Sequence, residues 1–202
     1  MTSTARIPAA EVTGLYGWLA KTMSRKILGQ VPESLGVLWH HQDVLKDLMK
    51  AGRKAEGWDQ VDPNLATFAN MAVSAHVGCS FCLDLHYYLA HDHNLDEEKA
   101  REVPRWRDSD VFTPTERRVL AFAEAMSETP LTVTDVMVDE LVEDLGIPAV
   151  IELSARIGMM NLTTRMNIAL GIEAQGLSSA CGLPPLAVAP DAPVTLAVLS
   201  QA

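Results

Sequence analysis

The sequence is short of cysteine, aromatic residues and positive charge. Only three of its 202 residues are cysteines, and aromatic residues make up 5% of the chain. So few cysteines, in an odd number, do not make the disulfide scaffold of a small secreted domain. Sixteen Lys and Arg residues stand against twenty-six acidic residues, and the net charge of −10 argues against binding to nucleic acids or anionic membranes.

Long hydrophobic runs are missing as well. A membrane-spanning helix needs about 18 or more consecutive apolar residues, and no such window exists. The N-terminal residues lack the basic stretch and the following apolar run of a signal peptide. We therefore expect a cytoplasmic protein with no membrane partner.

What the chain does have is Ala, Leu, Val and Met at helical spacing, within a 48% hydrophobic composition. This predicts one all-α domain over residues 1–202, a bundle of about seven or eight helices with its core at about 35–176. The Pro- and Ala-rich residues 178–202 are predicted to form an extended tail on the surface or on a partner. The predicted helices cover residues 8–28, 35–55, 64–75, 79–91, 96–104, 113–126, 134–145 and 148–175.

Two of these helices have distinctive patterns. The helix at 64–75 is apolar almost all round, which is typical of a helix in the core. Thr113-Pro114-Thr115-Glu116 combines a threonine cap, a proline at the first helical position and a glutamate three residues after the cap. That combination predicts a capping box at the start of the helix over 113–126.

A Cys-x-x-Cys pair lies where the helix at 79–91 is expected to begin. On one helix, Cys79, Cys82 and His86 share a face, so the two thiols lie within bonding reach and the imidazole within reach of a sulfur. Cys79 directly follows Gly78, and the positive end of the helix dipole favours a thiolate there. The pair can cycle between dithiol and disulfide. A peroxide is a natural substrate, since it turns a thiolate into a sulfenic acid that condenses with the second thiol.

Other interpretations of the same stretch are weaker or remain open. His76, Cys79, Cys82 and His86 are all zinc-ligand types, but the ends of a helix over 79–86 lie about 10 Å apart, which is too far for one tetrahedral ion. Covalent haem attachment needs a histidine directly after the second cysteine, where Leu83 stands. Two inert core cysteines remain a third interpretation.

Three polar residues interrupt the otherwise apolar last long helix, namely Asn161, Arg165 and Asn167. An arginine in such surroundings usually needs a carboxylate. We expect a buried ion pair with Glu116 or Glu152 rather than a substrate contact.

The segment from Ser74 to His86 resembles the CxxCxxxH motif of the carboxymuconolactone decarboxylase / alkylhydroperoxidase D-like superfamily. Residues 113–125 and 161–167 are similar to segments in its larger members. The resemblance implies an all-helical, homo-oligomeric peroxidase or disulfide oxidoreductase with no metal or organic cofactor. It also implies that Cys82 attacks the peroxide, that Cys79 resolves the product and faces a reducing protein, and that His86 relays protons.

One position departs from the family pattern. The relay of the family uses a glutamate twelve residues before the first cysteine, and Thr67 stands there. A threonine is neither a general acid nor a general base near neutral pH. The departure weakens the expectation of efficient peroxidase activity and leaves the disulfide chemistry intact.

The sequence therefore supports three hypotheses. The first is a thiol-dependent peroxidase or disulfide oxidoreductase that reduces a small hydroperoxide and is recycled by a thiol reductant protein. The second is a lactone decarboxylase-type enzyme that does not depend on the thiols. The third is a redox-sensing helical protein without turnover.

Overall fold

The computed structural model describes residues 5–187, and no β-strand occurs in that range. The predicted all-α class is thereby confirmed. No helix of the described range is both long enough and apolar enough to cross a bilayer. The α-helices are α1 (Gly14–Leu28), α2 (Glu33–Leu38), α3 (Gln42–Glu56), α4 (Pro63–Val77), α5 (Ser80–Asp92), α6 (Glu97–Glu102), α7 (Pro114–Ala125), α8 (Asp135–Leu145), α9 (Ile147–Leu170) and α10 (Leu177–Ala180).

Helix α4 lies at the centre of the main hydrophobic core. It packs against α5, α7 and α9, and its Phe68, Met71 and Val73 side chains are fully buried. The apolar sequence of α4 predicted this position, because a helix that is apolar on all sides needs neighbours on all sides. α4 also ends directly before the cysteine pair, so the core fixes where α5 begins.

The predicted capping box of α7 is confirmed. The Thr113 hydroxyl accepts a hydrogen bond from the Glu116 backbone N–H at 3.3 Å, and the Glu116 carboxylate accepts one from the Thr113 N–H at 2.7 Å. Glu116 also receives Lys99 Nζ at 2.8 Å. The position of this carboxylate is thus fixed by one backbone and one side-chain partner.

Three helices differ from their predicted bounds. The helix predicted over 8–28 begins only at Gly14, whose left-handed φ of 76° is incompatible with a continuous helix from Pro8. The segment predicted as one helix over 35–55 is divided into α2 and α3 by a 3₁₀ turn at Trp39–His41. The imidazole of His41 caps α3 by accepting the Val44 N–H at 3.4 Å. The helix predicted over 148–175 ends at Leu170, because Gly171 takes a left-handed conformation with a φ of 72°.

Helices α1 to α3 form a layer with a hydrophobic cluster of its own, built on Leu35, Trp39 and Leu45. α1 approaches this layer through small residues. A Cβ on its Gly17 would meet Val12 and Trp39 at 3.0–3.1 Å, so only glycine fits. The large apolar side chains whose spacing predicted α1 lie on its exposed side. These are Leu15, Trp18, Leu19, Met23 and Ile27.

Part of the predicted tail lies within the described residues. It begins with α10 and then follows the body of the molecule: Leu186 is buried, and the Ala187 N–H donates to the Arg101 carbonyl at 3.0 Å. The remainder of the predicted tail, residues 188–202, lies outside the described residues.

Candidate functional site

The cysteine pair sits at a sharp junction between α4 and α5. Gly78 takes a left-handed conformation with a φ of 86°, while the N–H groups of Gly78 and Cys79 both donate to the Ser74 carbonyl at 3.0 and 2.9 Å. Cys79 is then the N-cap of α5, with extended backbone angles. The helix begins where the sequence predicted, and Cys82 lies in its first turn.

The two sulfurs are close, reduced and buried. The Sγ atoms of Cys79 and Cys82 are 2.8 Å apart, and both thiols are free. The exposed fractions are 1% for Cys79 and 3% for Cys82. A third group joins them from α9, since the Asn167 side-chain amide donates to Cys82 Sγ at 3.2 Å.

The two sulfurs are joined by a hydrogen bond that shifts their pKa values in opposite directions. The hydrogen bond from Cys82 lowers the pKa of Cys79 against the opposing effect of burial, helped by the N–H groups of Cys82 and Phe81. The pKa of Cys82 is raised because Cys79 holds its proton, because it is buried, and because Cys79 carries negative charge. The surroundings therefore favour the thiolate at Cys79, at the N-terminus of α5, and the protonated thiol at Cys82.

His86 lies one turn further along α5 and lines the same cavity as Cys82. Its Nδ1 is 2.9 Å from the Cys82 backbone oxygen. A carbonyl only accepts, so Nδ1 carries the proton and Nε2 is the basic nitrogen. Burial lowers the pKa of His86, so the ring is neutral near neutral pH. His86 thus bonds the Cys82 backbone and not the Cys82 sulfur. The side-chain amide that donates to the Cys82 sulfur is that of Asn167.

A cavity of about 370 Å³ opens beside Cys82 and His86, between α2, α3, α4, α5 and α9. Cys79 does not line it. A molecule in the cavity therefore meets the sulfur of Cys82 and not that of Cys79. Most of the wall is apolar and rich in methionine, with Leu38, Leu45, Leu48, Met49, Phe81, Leu85, Met159, Met160 and Met166.

The charged groups of the cavity offer little to an acidic ligand. Arg156 contributes a cation to the described lining, but its Nε lies 2.8 Å from a carboxylate oxygen of Glu152, and its NH2 group donates to the Trp58 carbonyl. Glu56 adds a negative charge. Among residues 5–187, no group of three or more His, Cys, Asp and Glu side chains is arranged to hold a metal ion.

The ion pair predicted for Arg165 is wrong. Arg165 is exposed on α9, and its guanidinium donates to the Ser127 backbone oxygen at 2.5 Å. The two carboxylates proposed as partners are engaged elsewhere, Glu116 with Lys99 and Glu152 with Arg156. Solvent replaces the carboxylate because this face of α9 is not covered by the described residues.

The other residues singled out from the sequence lie apart from the thiols. His76 pairs with Glu128, with Nε2 and Oε1 2.9 Å apart, and lines a different cavity. Thr67 is half-buried on α4 and does not line the cavity beside Cys82. The bond from Asn167 to Cys82 Sγ is the contact that sequence reasoning missed. The sequence did mark Asn167 as a polar residue in an apolar helix, but the interpretation linked it to Arg165 and not to the cysteines.

Comparisons with known proteins agree with this architecture. Residues 43–125 match the sequence model of the Carboxymuconolactone decarboxylase family. The Escherichia coli (strain K12) protein YnjA is 35% identical over 124 residues, which cover 61% of this chain and 66% of YnjA. The Bacillus subtilis (strain 168) protein YdfG is 27% identical over 103 residues, covering 50% and 70%. The chain thus spans about two thirds of the length of these curated relatives.

Solved structures share the fold at low identity. The debrominase Bmp8 has a TM-score of 0.75 at 20% identity, over 89% of this chain and 96% of Bmp8, and it is also known in complex with 2,3,4-tribromopyrrole. An AhpD-core, peroxidase-related protein from Ralstonia eutropha JMP134 has a TM-score of 0.76 at 18% identity, over 87% and 94%. Residues 43–125 thus match the carboxymuconolactone decarboxylase family, and the described chain has the fold of AhpD-like proteins.

Proposed function

We propose that this protein is a thiol-dependent oxidoreductase that reduces an apolar hydroperoxide in the cavity beside Cys82. The observation that carries the proposal is the placement of the pair: two free sulfurs 2.8 Å apart, of which Cys82 alone lines the cavity. A substrate is attacked by Cys82, and Cys79 is already within reach to close the disulfide. An inert pair of core cysteines needs neither the cavity nor the short separation.

The first step makes Cys82 the nucleophile. Its proton passes to Cys79 along the contact between the two sulfurs, and the Asn167 amide, 3.2 Å from Cys82 Sγ, stabilises the new thiolate. The thiolate attacks the terminal oxygen of the hydroperoxide. The O–O bond breaks, Cys82 becomes a sulfenic acid, and the departing alkoxide takes a proton from water in the cavity.

The second step closes the disulfide. The Cys79 sulfur attacks the Cys82 sulfur and expels hydroxide, which leaves as water with the Cys79 thiol proton. One thiolate and one thiol have then been oxidised to the disulfide, and one hydroperoxide has become an alcohol and a hydroxide ion, which a proton from the medium converts to water. Since Cys79 is 1% exposed, a dithiol reductant first meets the disulfide at Cys82, from the cavity side. His86 also lines the cavity, and in this proposal its Nε2 takes up a proton released during this reduction.

The lining favours this chemistry over the decarboxylase alternative. A lactone acid brings a carboxylate that has to be neutralised on burial. The charged side chains in the described lining are Arg156, which is already paired with Glu152, and the acidic Glu56. An uncharged substrate with an apolar body fits these walls without an unpaired charge.

A second candidate uses the same site. The cavity would also accept a small halogenated aromatic ring, as the debrominase of the same fold does with 2,3,4-tribromopyrrole. Two thiols would supply the two electrons: a carbon–bromine bond is replaced by carbon–hydrogen, bromide and a proton are released, and the Cys79–Cys82 disulfide forms. Halide release in place of hydroperoxide consumption distinguishes the two.

The test is reduction of cumene hydroperoxide with a dithiol as reductant. We expect turnover by the wild type, its loss in Cys82→Ser, and a Cys79–Cys82 disulfide in protein trapped after one exposure to peroxide. Cys181→Ser is the matched control, because Cys181 is an exposed thiol outside the site. If Cys82→Ser consumes hydroperoxide as fast as the wild type, the proposal fails.

A further inference from the structure

Helix α1 carries its large apolar side chains on the side that faces away from the protein. Leu15 is 84% exposed and Trp18 62% exposed, whereas the face that packs on the body is built from small residues such as Gly17 and Ala20. Leu19, Met23 and Ile27 continue the exposed stripe at helical spacing. An apolar face of this length is typical of a helix that packs against a further surface.

Helix α1 is also positively charged. α1 contains no acidic residue and three basic ones, Lys21, Arg25 and Lys26. Four further cations of α3 lie beside Tyr16 of α1 around a shallow depression, namely Lys46, Lys50, Arg53 and Lys54. Residues 1–57 hold eight of the sixteen basic residues of the chain but only five of the twenty-six acidic ones. A surface that packs against α1 should therefore be both apolar and acidic.

The chain itself presents such a surface on α9 and α8. Along the outer side of α9, Ile147, Ile151 and Leu162 are 62%, 65% and 56% exposed. Between them lie small exposed residues, and a Cβ added at Gly158 would meet nothing within 4 Å. This side of α9 therefore has room for the side chains of a second helix.

Helix α8 packs against α9 and supplies the charge. It carries five acidic residues and no basic one. Glu140 and Asp144 bind Arg118 of α7. Asp139 and Glu143 are exposed.

We propose that the exposed face of α1 docks on the α8–α9 face of a second copy of this chain. The lengths agree, since the α1 stripe from Leu15 to Ile27 spans about 18 Å and the α9 stripe from Ile147 to Leu162 about 22 Å. Arg25 and Lys26 then lie against the acids of α8. The contact joins two different faces, so it repeats from copy to copy and generates a ring or a longer assembly.

Two other occupants fit less well. Pairing α1 with α1 of another copy would bring two acid-free helices together with like charges opposed. An anionic membrane offers acid and apolar groups, but the chain outside residues 1–57 holds twenty-one acids against eight bases. The lipid charge repels that larger part of the molecule, whereas in a second copy the same acids attract the cations of α1.

The test is a charge-reversal cycle on the full chain, followed by sedimentation velocity. We expect the wild type to sediment as an assembly larger than a monomer. Arg25→Glu/Lys26→Glu and Asp139→Lys/Glu143→Lys should each weaken association by about tenfold or more. The chain with all four substitutions should assemble again, because both faces are reversed together. Asp108→Lys/Asp110→Lys changes the charge equally at exposed positions outside both faces and should leave the assembly intact.

Several outcomes overturn the proposal. A monomeric wild type is one such outcome. Another is an assembly that Arg25→Glu/Lys26→Glu dissociates but Asp139→Lys/Glu143→Lys leaves intact. Failure of the fourfold variant to reassemble, while circular dichroism shows it folded, also counts against the contact. Binding of a monomeric wild type to phosphatidylserine vesicles that is lost on Arg25→Glu/Lys26→Glu would assign the face to lipid. None of these readouts depends on hydroperoxide turnover, so the result is independent of the proposed function.

Discussion

Replacing Asn167 with leucine tests how the structure makes Cys82 reactive. The substitution keeps the volume of the side chain approximately constant and removes the N–H that donates to Cys82 Sγ at 3.2 Å. In the reduced resting pair the pKa of Cys82 is raised, so its thiolate forms only with help from a donor. Asn167 is buried, so water does not replace the lost N–H.

A hydrogen bond to a charged group contributes about 1.5–3 kcal/mol, and about 1.4 kcal/mol corresponds to a tenfold change in rate. We therefore expect kcat/KM for cumene hydroperoxide to fall about 10- to 100-fold in Asn167→Leu. The thiolate becomes harder to form, so the pH–rate profile should shift towards higher pH. Stopped-flow measurement of the single-turnover reaction across pH separates the two effects.

Asn161→Leu is the matched control. It removes the same amide from the same helix, but Asn161 donates to Ser127 Oγ at 3.0 Å and not to a thiol. Its rate and pH profile should match those of the wild type. An Asn167→Leu enzyme with an unshifted profile and a wild-type rate would refute the role given to this amide.

Two further predictions concern His86 and Gly78. Burial lowers the pKa of His86 below its ordinary value of 6.5, so the unfolded chain binds a proton more readily than the folded one. The stability that this depressed pKa contributes is lost as the pH falls through 6.5. Between neutral and mildly acidic pH, the urea midpoint of His86→Gln should therefore fall less than that of the wild type. A variant with the same pH dependence as the wild type would contradict the assignment. Gly78→Ala should lower the free energy of unfolding by about 1–2 kcal/mol, because its φ of 86° disfavours any Cβ although none of its surroundings would clash. Gly52→Ala, in open space within α3, should be stabilising by about 0.5–1 kcal/mol, and equal thermal midpoints for the two variants would argue against backbone strain at Gly78.

Local patterns in the sequence predicted the parts of the fold that are determined locally. The capping box at Thr113 and the start of α5 at Cys79 depend on neighbours within a few residues, and both are found where predicted. The division of the segment 35–55 depends on a distant residue. Trp39 is buried against Tyr16, with the two rings stacked 5.6 Å apart, and that contact is invisible in the local pattern.

The same distinction explains the candidate site. The i, i+3 spacing of Cys79 and Cys82 predicted that the thiols would be close. The cavity was beyond prediction, because its walls combine the neighbouring helices α2 to α5 with α9, which lies far away in sequence. Asn167 was recognised as an unusual polar residue, but its partner lies 85 positions away, and periodicity carries no information about such a contact.

The cavity lies at the seam between two hydrophobic clusters. Its thiol side belongs to the main core around α4 and α5, while Leu38, Leu45 and Met49 on the opposite wall belong to the cluster of the α1–α3 layer. Part of the wall that would contact a substrate therefore belongs to a different hydrophobic cluster from the one that holds the sulfurs. A lineage can reshape what the enzyme accepts by repacking its first 57 residues, while the reactive sulfurs keep their geometry.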